Sequence, residues 1–490
     1  MKNSRKILGI LGLFLITTLN AQNLSLPKIF DNNMMLQRDQ PCAIWGKSLP
    51  NALVDIKIGH STTSCRANEK GNWKTYLSPL SSGLNYHMKI VSVNQSVEFR
   101  NIAVGDVYYA GGQSNMQFGL LRSENGKEDV AKAGNKNIRI FTVSHQISYR
   151  PLDDIIASSD SKPLENNWQE CNPETVKEFS AVAYYFARKI QSEVGVPVGI
   201  INVSWGGTPI EAHMSYEANR QLPYHRAGAI ELENNSSAKT KADFTKQPPQ
   251  EPSSVFNSMI SPIIPYSISG FLWYQGEQNW NYPYRYREQL VTFINDMRIR
   301  WGQGYLPFYL VQIHNMGKIP VEPMEDFWSV LRESQTLALN LSQTGMVVTV
   351  DVGDGDLHPK DKKSVGERLA LLAEKNIYQK NISCEGPVFE SFKTKNDTIE
   401  LTFKPNGSGL TFRTDSLKGF AIANESKQFK WAKSKISGNK VLLFATGVDH
   451  PVAARYGWGE NPVCTLCNIE GLPASPFRTD HWVVRSDGTW

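Results

Sequence analysis

The stretch GDVYYAGGQSNM (residues 105–116) reads as a strand, GDVYYA, that stops at two glycines and delivers Gln113, Ser114 and Asn115 into the turn beyond it. Downstream, helix and strand patterns alternate. Phe179, Val182, Phe186 and Ile190 fall at i, i+3, i+7 and i+11, one face of a helix through EFSAVAYYFARKI (178–190). The apolar run VPVGIINVS (196–204) then reads as a buried strand. The alternation continues through the strand SGFLWYQG (269–276) and the helix YREQLVTFINDMRIRW (286–301), with Leu290, Phe293, Ile294, Met297 and Trp301 on one face. Next come the strand LPFYLVQI (306–313), the helix WSVLRESQTLAL (328–339), the strand GMVVTVDV (345–352) and the helix SVGERLALLAEK (364–375). Strands that are apolar throughout, separated by amphipathic helices, imply an α/β domain: a doubly wound parallel sheet covered on both faces. Its ligand site is expected outside the carboxyl ends of the strands.

On both flanks the period is two. VDIKIG (54–59) puts Val54, Ile56 and Ile58 on one face, NYHMKIVSV (85–93) follows a turn, and TIELTF (398–403) repeats the pattern near the C-terminus. Before them, the basic KNSRK (2–6) and the apolar ILGILGLFLITTL (7–19) read as a signal peptide, because the apolar run falls short of the roughly 20 residues a bilayer needs. The expected organisation is a signal peptide at 1–21, a β-sandwich-like domain at 22–104, the α/β domain at 105–385 and a second β-sandwich-like domain at 386–490. The polar, breaker-rich 234–252 is expected to be an exposed loop of the middle domain.

Composition narrows the classes. The formal charge of +5 includes Lys2, Arg5 and Lys6 of the leader, so the balance left afterwards points to no nucleic-acid partner. No second run is long and apolar enough to span a membrane, and the protein is expected to be secreted or periplasmic. Six cysteines in 490 residues are too few for a disulfide framework. The CTLC at 464–467 lacks the further ligands of a structural zinc site, and DVGDGD (351–356) lacks the glutamate of an EF-hand, so no metal or other cofactor is expected.

Unusual polar residues gather in four loops that follow middle-domain strands: Gly111 to Asn115, Trp205 to Thr208, Gln275 to Asn279, and Gly353 to Pro359. In a parallel sheet all four leave one edge. Acyl transfer needs a hydroxyl nucleophile, a base in reach, a group to orient that base, and donors aimed at the developing oxyanion. Ser114 supplies the hydroxyl and one N–H, His358 the base, and Asp356 or Asp354 the orienter. Gly206 or Gly207 supplies a further N–H and Gln275 or Asn279 a side-chain amide, each oxyanion donor being worth roughly 10²–10³ in rate. Gln113 completes the substrate-binding set. Each residue has a bland counterpart: a serine in a Gly-rich turn is commonly only a turn residue, Asn115 suits a helix cap, and His-Pro suits a helix start. Four such loops on one edge favour the functional reading. GQSNM lacks the second glycine of the G-x-S-x-G elbow, which excludes an ordinary α/β-hydrolase.

The chain resembles the sialate O-acetylesterase family of SGNH-type hydrolases. The resemblance rests on VGDVYYAGGQSNM (104–116), VSWGGTPIEAHMS (203–215), LWYQGEQN (272–279), DLHPKDKKSVGERLAL (356–371) and GLPASPFRTD (471–480), with LPKIFDNNMMLQRDQPCAIWG (26–46) similar to the family's N-terminal segment. It implies an SGNH-hydrolase-like sheet, Ser114 as nucleophile, His358 as base, an oxyanion platform from the second and third loops, and metal-free removal of acetyl esters from an O-acetylated glycan such as sialic acid. SGNH enzymes commonly carry the acid three residues before the histidine, where this chain has Gly355. That leaves Asp356, which is favoured, or Asp354 as orienter, or a Ser-His dyad helped by a backbone carbonyl. Acetylated xylan or another plant glycan is the alternative substrate, and a non-catalytic carbohydrate-binding protein the alternative of another class. For a sialic acid carboxylate, Arg285 and Arg287 lie close after the third loop.

Overall fold

In the computed structural model, residues 24–157, 161–234, 249–404 and 406–484 are described. The expected signal peptide lies outside them, as does most of the expected 234–252 loop. Among the described residues, seven strands run through the central part of an eleven-stranded sheet: β1 (Gln95–Gly112), β2 (Asn135–Thr142), β3 (Gln169–Cys171), β4 (Val198–Ser204), β5 (Gly270–Tyr274), β6 (Phe308–Val311) and β7 (Thr344–Val347). Their order is β7-β6-β5-β1-β4-β2-β3, and every neighbouring pair is parallel except β2 with β3. β4, β5 and β6 are buried along their whole length, as the unbroken apolar runs require.

From β1 the chain goes first to one side, out to β2 and β3 and back to β4, and later to the other side through β5, β6 and β7. This makes the carboxyl end of β1 a topological switch point, where the connections diverge and leave a crevice. Ser114 follows that end directly.

Five helices matter for the site: α1 (Ser114–Gln117), α2 (Ala181–Val194), α3 (Pro283–Trp301), α4 (Phe327–Leu337) and α5 (Lys362–Asn376). α2 buries Val182, Phe186 and Ile190, and its first turn is capped by the Ser180 hydroxyl, which accepts from Ala183 N–H. The cap starts this helix three residues later than the apolar period alone suggests. α3 buries Leu290, Phe293, Ile294, Met297 and Trp301 as the spacing implies.

β1 has two sets of partners. Its first half pairs antiparallel with Gly83–Ser92, residues 103–105 pair parallel with Met35–Gln37, and residues 106–112 lie between β4 and β5. The expected boundary at 104/105 therefore falls inside one continuous strand. The N-terminal strand Leu53–Ile58 alternates as read, with Val54, Ile56 and Ile58 buried. From Val388 onward the chain forms small antiparallel sheets around Ile399, Leu401, Phe403, Val441 and Leu443.

These C-terminal strands are fastened to the α/β layer by ion pairs. Asp351 takes both Arg368 and Arg413, and Glu333 on α4 takes Arg478 at 2.7 Å. Arg455 pairs with Asp480 at 2.8 Å, both nearly fully buried. The FRTD at 477–480 thus serves anchoring through Arg478 and Asp480, well suited to arginine's planar fork. Among the described residues no helix is long and apolar enough to cross a membrane.

Candidate active site

Gly112 lets β1 end where it does. Its φ is +138°, and a Cβ there would stand 2.1 Å from the Tyr274 carbonyl oxygen of β5. Only glycine fits that backbone and that gap. Gln113 is extended, and α1 begins at Ser114, leaving the serine half-buried at the first position of a one-turn helix.

His358 comes to meet it. The imidazole Nε2 lies 2.8 Å from Ser114 Oγ, across 244 residues of sequence. Burial holds the His358 pKa below the ordinary histidine value, and the charges of Lys362 and Arg122 add to this while Asp356 opposes it. At neutral pH the ring is therefore the free base, the state that accepts a proton.

The acids are arranged differently from the expectation. Asp356 Oδ1 accepts the main-chain N–H of His358 at 3.0 Å, and Asp354 Oδ1 accepts the N–H of Asp356 at 3.0 Å. Each carboxylate closes a local turn two residues ahead, as Asp readily does. Neither is hydrogen-bonded to the imidazole. Asp356 acts on the ring through space and through the backbone it holds.

The second loop abuts the nucleophile. A Cβ on Gly206 would lie 3.2 Å from Ser114 Cβ and 3.1 Å from Gln117 Oε1. The Gly206 N–H already donates to Gln117 Oε1 at 2.8 Å. Gly207, with φ of +74°, has an N–H bonded to no protein group among the described residues, and so has Ser114.

The expected side-chain amide donors turn out to be frame. Gln275 is fully buried; its Nε2 donates to Asn279 Oδ1 at 2.7 Å and Thr208 O at 3.2 Å, while its Oε1 accepts from Tyr286. Both of its amide hydrogens are spent. Asn279 accepts from Ile210 N–H and donates to Glu211 Oε2 at 2.9 Å. Gln113 is different, because its Oε1 accepts from Gln278 N–H at 3.1 Å and its Nε2 meets no acceptor among the described residues. Donors left open in the nucleophile and second loops include the Ser114 N–H, the Gly207 N–H and the Gln113 amide. The sequence named all three, alongside three groups that the fold uses to hold the loops.

The chain is similar to known proteins over most of its length. Residues 104–374 match the family described as carbohydrate esterase, sialic acid-specific acetylesterase. The chain belongs to that carbohydrate esterase family. It is 27% identical to the human sialate O-acetylesterase over 497 residues, 91% of each chain, and 27% identical to the rat protein of that name over 516 residues. A carbohydrate acetylesterase from Xanthomonas citri of known structure superposes with a TM-score of 0.83 at 34% identity, covering 94% of this chain and all of that one. The protein is thus an acetylesterase with an α/β fold, and the reading as a non-catalytic carbohydrate-binding protein falls away.

Beneath the Ser-His pair, the esterase carries a buried polar knot that sequence reasoning did not find. Asn115 Nδ2 donates to Glu277 Oε1 at 2.6 Å and to Leu357 O at 3.0 Å, and its Oδ1 accepts from Lys362 Nζ. The nucleophile loop, the third loop and the histidine loop meet at this one side chain. Asn115 is therefore a tie between loops instead of a helix cap. Lys362 is 1% exposed, and burial pulls its pKa down to about 7. Burial pushes Glu277 up, and its second carboxylate oxygen has no partner among the described residues. The available signal was spacing: Lys362 follows His358 by four residues, at the start of the next helix, and Glu277 lies inside the third loop already singled out.

Proposed function

We propose that the protein is an exported serine esterase that removes O-acetyl groups from sialic acids through an acyl-enzyme. The observation that carries the mechanism is the 2.8 Å contact between Ser114 Oγ and His358 Nε2 at the switch point of the sheet. Ser114 Oγ attacks the acetyl carbon while its proton passes to His358 Nε2. Charge developing on the carbonyl oxygen is met by the open N–H groups of Ser114 and Gly207 and by the Gln113 amide. Collapse of the tetrahedral species breaks the bond to the sugar oxygen, which leaves as an alcohol with the proton from His358. Water, deprotonated by His358, then attacks the acetyl-serine and releases acetate.

The family description and the sialate O-acetylesterases related to this chain support sialic acid as the sugar. The Xanthomonas citri relative, named only as a carbohydrate acetylesterase, supports the wider class of acetylated glycans as a second reading. Export rests on the leader at 1–21.

Two measurements test the proposal. Ser114→Ala is expected to lower kcat/KM by at least about 10⁴-fold with an unchanged melting curve; activity within tenfold of wild type would overturn the nucleophile. Acetate release is then compared across O-acetylated sialosides and acetylated xylo-oligosaccharides. Turnover confined to the second group would overturn the sialic acid assignment.

A further inference from the structure

A sialic acid differs from a neutral acetylated sugar by its carboxylate, and a selective site has to meet that charge. The inference below rests on the sialic acid reading. Of the two arginines the sequence brought forward, Arg287 is taken: its Nη2 lies 2.6 Å from Glu333 Oε2, on a carboxylate that Arg478 also holds. Arg285 stacks over Tyr224 and Tyr282, with its guanidinium carbon 5.1 Å and 4.7 Å from the ring centroids. Lys362 is buried and committed to Asn115.

Arg122 is placed differently. It ends the short turn Leu120–Arg122 that follows the nucleophile helix, and its side chain is exposed. The guanidinium lies over the Phe118 ring, 4.5 Å from its centroid. Phe118 in turn stacks with His358 at 6.4 Å and 28°. Among the described residues no carboxylate lies within ion-pair distance of Arg122. Its charge is also one of those that lower the His358 pKa, which places it electrically beside the catalytic base.

We propose that Arg122, held over the Phe118 ring, binds the substrate carboxylate in a subsite beside the Ser114–His358 pair, and so selects acidic O-acetylated sugars. An arginine fork suits a carboxylate because two parallel N–H donors match its two oxygens. The ring beneath it restricts the guanidinium before substrate arrives, which reduces the ordering cost of binding. A lysine there would keep the charge and lose the fork.

The test uses the full mature chain and two substrates that differ in one group: an O-acetylated sialic acid and its carboxyl methyl ester. The quantity read is the ratio of kcat/KM for acid over methyl ester. Wild type is expected to favour the acid by about 10–100-fold, the range of a charge-assisted hydrogen-bonded pair. Arg122→Gln is expected to bring the ratio close to one, and Arg122→Lys to restore part of it. A purely structural role would slow both substrates together and leave the ratio unchanged. If wild type favours the acid and Arg122→Gln keeps the full preference, the Arg122 assignment is overturned while the sialic acid reading stands. If wild type turns over neither sialoside but cleaves acetylated xylo-oligosaccharides, the sialic acid reading itself fails, and this inference fails with it.

Discussion

Replacing Lys362 with methionine removes a buried cation while keeping an unbranched side chain of similar length. The ammonium is held in an unfavourable place, at 1% exposure and at the first position of α5, where the helix dipole also opposes a positive charge. Asn115 compensates by hydrogen bonding, and Glu277, Asp354, Asp361 and Asp356 by charge. Loss of the lysine strands the Asn115 carbonyl and leaves Glu277 without its nearest cation. Breaking one side of a buried charged network costs about 3–5 kcal/mol, and protonation of Glu277 returns part of it, so a loss of roughly 3 kcal/mol is expected. The second effect reaches the base. Lys362 Nζ and the His358 ring both lie against Phe118, 4.9 Å and 6.4 Å from its centroid. Two unit charges on the order of 10 Å apart, at an effective dielectric of about 20–40, interact by roughly 0.8–1.7 kcal/mol, or about 0.6–1.2 pH units. A nearby cation disfavours imidazolium, so the His358 pKa sits lower with Lys362 present and rises when it is removed. His358 must be neutral to act as base. The acid limb of kcat/KM against pH is therefore expected to move to higher pH by that amount in Lys362→Met, measured on enzyme quantified by acyl-enzyme burst. Lys362→Gln, which is less disruptive, is expected to move the limb the same way. A limb that stays within 0.2 units, or moves to lower pH, refutes the electrostatic argument whatever happens to stability.

Other outcomes follow from single contacts. Asp356→Asn keeps a side-chain oxygen for the His358 N–H and is expected to reduce kcat less than about tenfold, whereas a carboxylate that oriented the ring would cost on the order of 10⁴; steady-state kinetics separates the two. Gly206→Ala is expected to lower kcat by about 10–100-fold with little change in melting temperature, because the added methyl presses on Ser114 and Gln117 and displaces reacting groups. Stability should rise between about pH 7 and the ordinary lysine range as Lys362 sheds its proton in the folded state before the unfolded one, and urea titrations across that window should show the rise diminished in Lys362→Met.

What the sequence made legible depended on period and direction. Phe186 and Ile190 repeat on one helical face, and the runs at 198–204 and 270–274 are mostly apolar on both faces, so helix, strand and parallel pairing were readable before any contact was known. Parallel strands send their C-terminal loops to one edge, which is why Ser114 and His358 could be joined across 244 residues. The domain boundary was less readable because β1 changes partners without changing its own extended backbone. Hydrogen-bond roles were harder still. Gln275, Asn279 and Gln113 carry the same amide, and only the position of Thr208, Glu211 and Tyr286 decides that the first two hold loops while the third keeps a free donor. Asp356 shows the same limit, since spacing from His358 does not say whether a carboxylate turns to the ring or to the main chain. Lys362 was the least visible of all. In KDKK (360–363) it looks like one more solvated charge, yet the helix starting there turns its neighbours outward and folds this lysine under Phe118 and Asn115. A charge is placed in a dry site only where partners from other loops surround it, so the partners, Asn115 from the first loop and Glu277 from the third, are what the lysine reports. Its burial ties the nucleophile, third and histidine loops into one unit, and disturbing it is expected to change the base and the fold together.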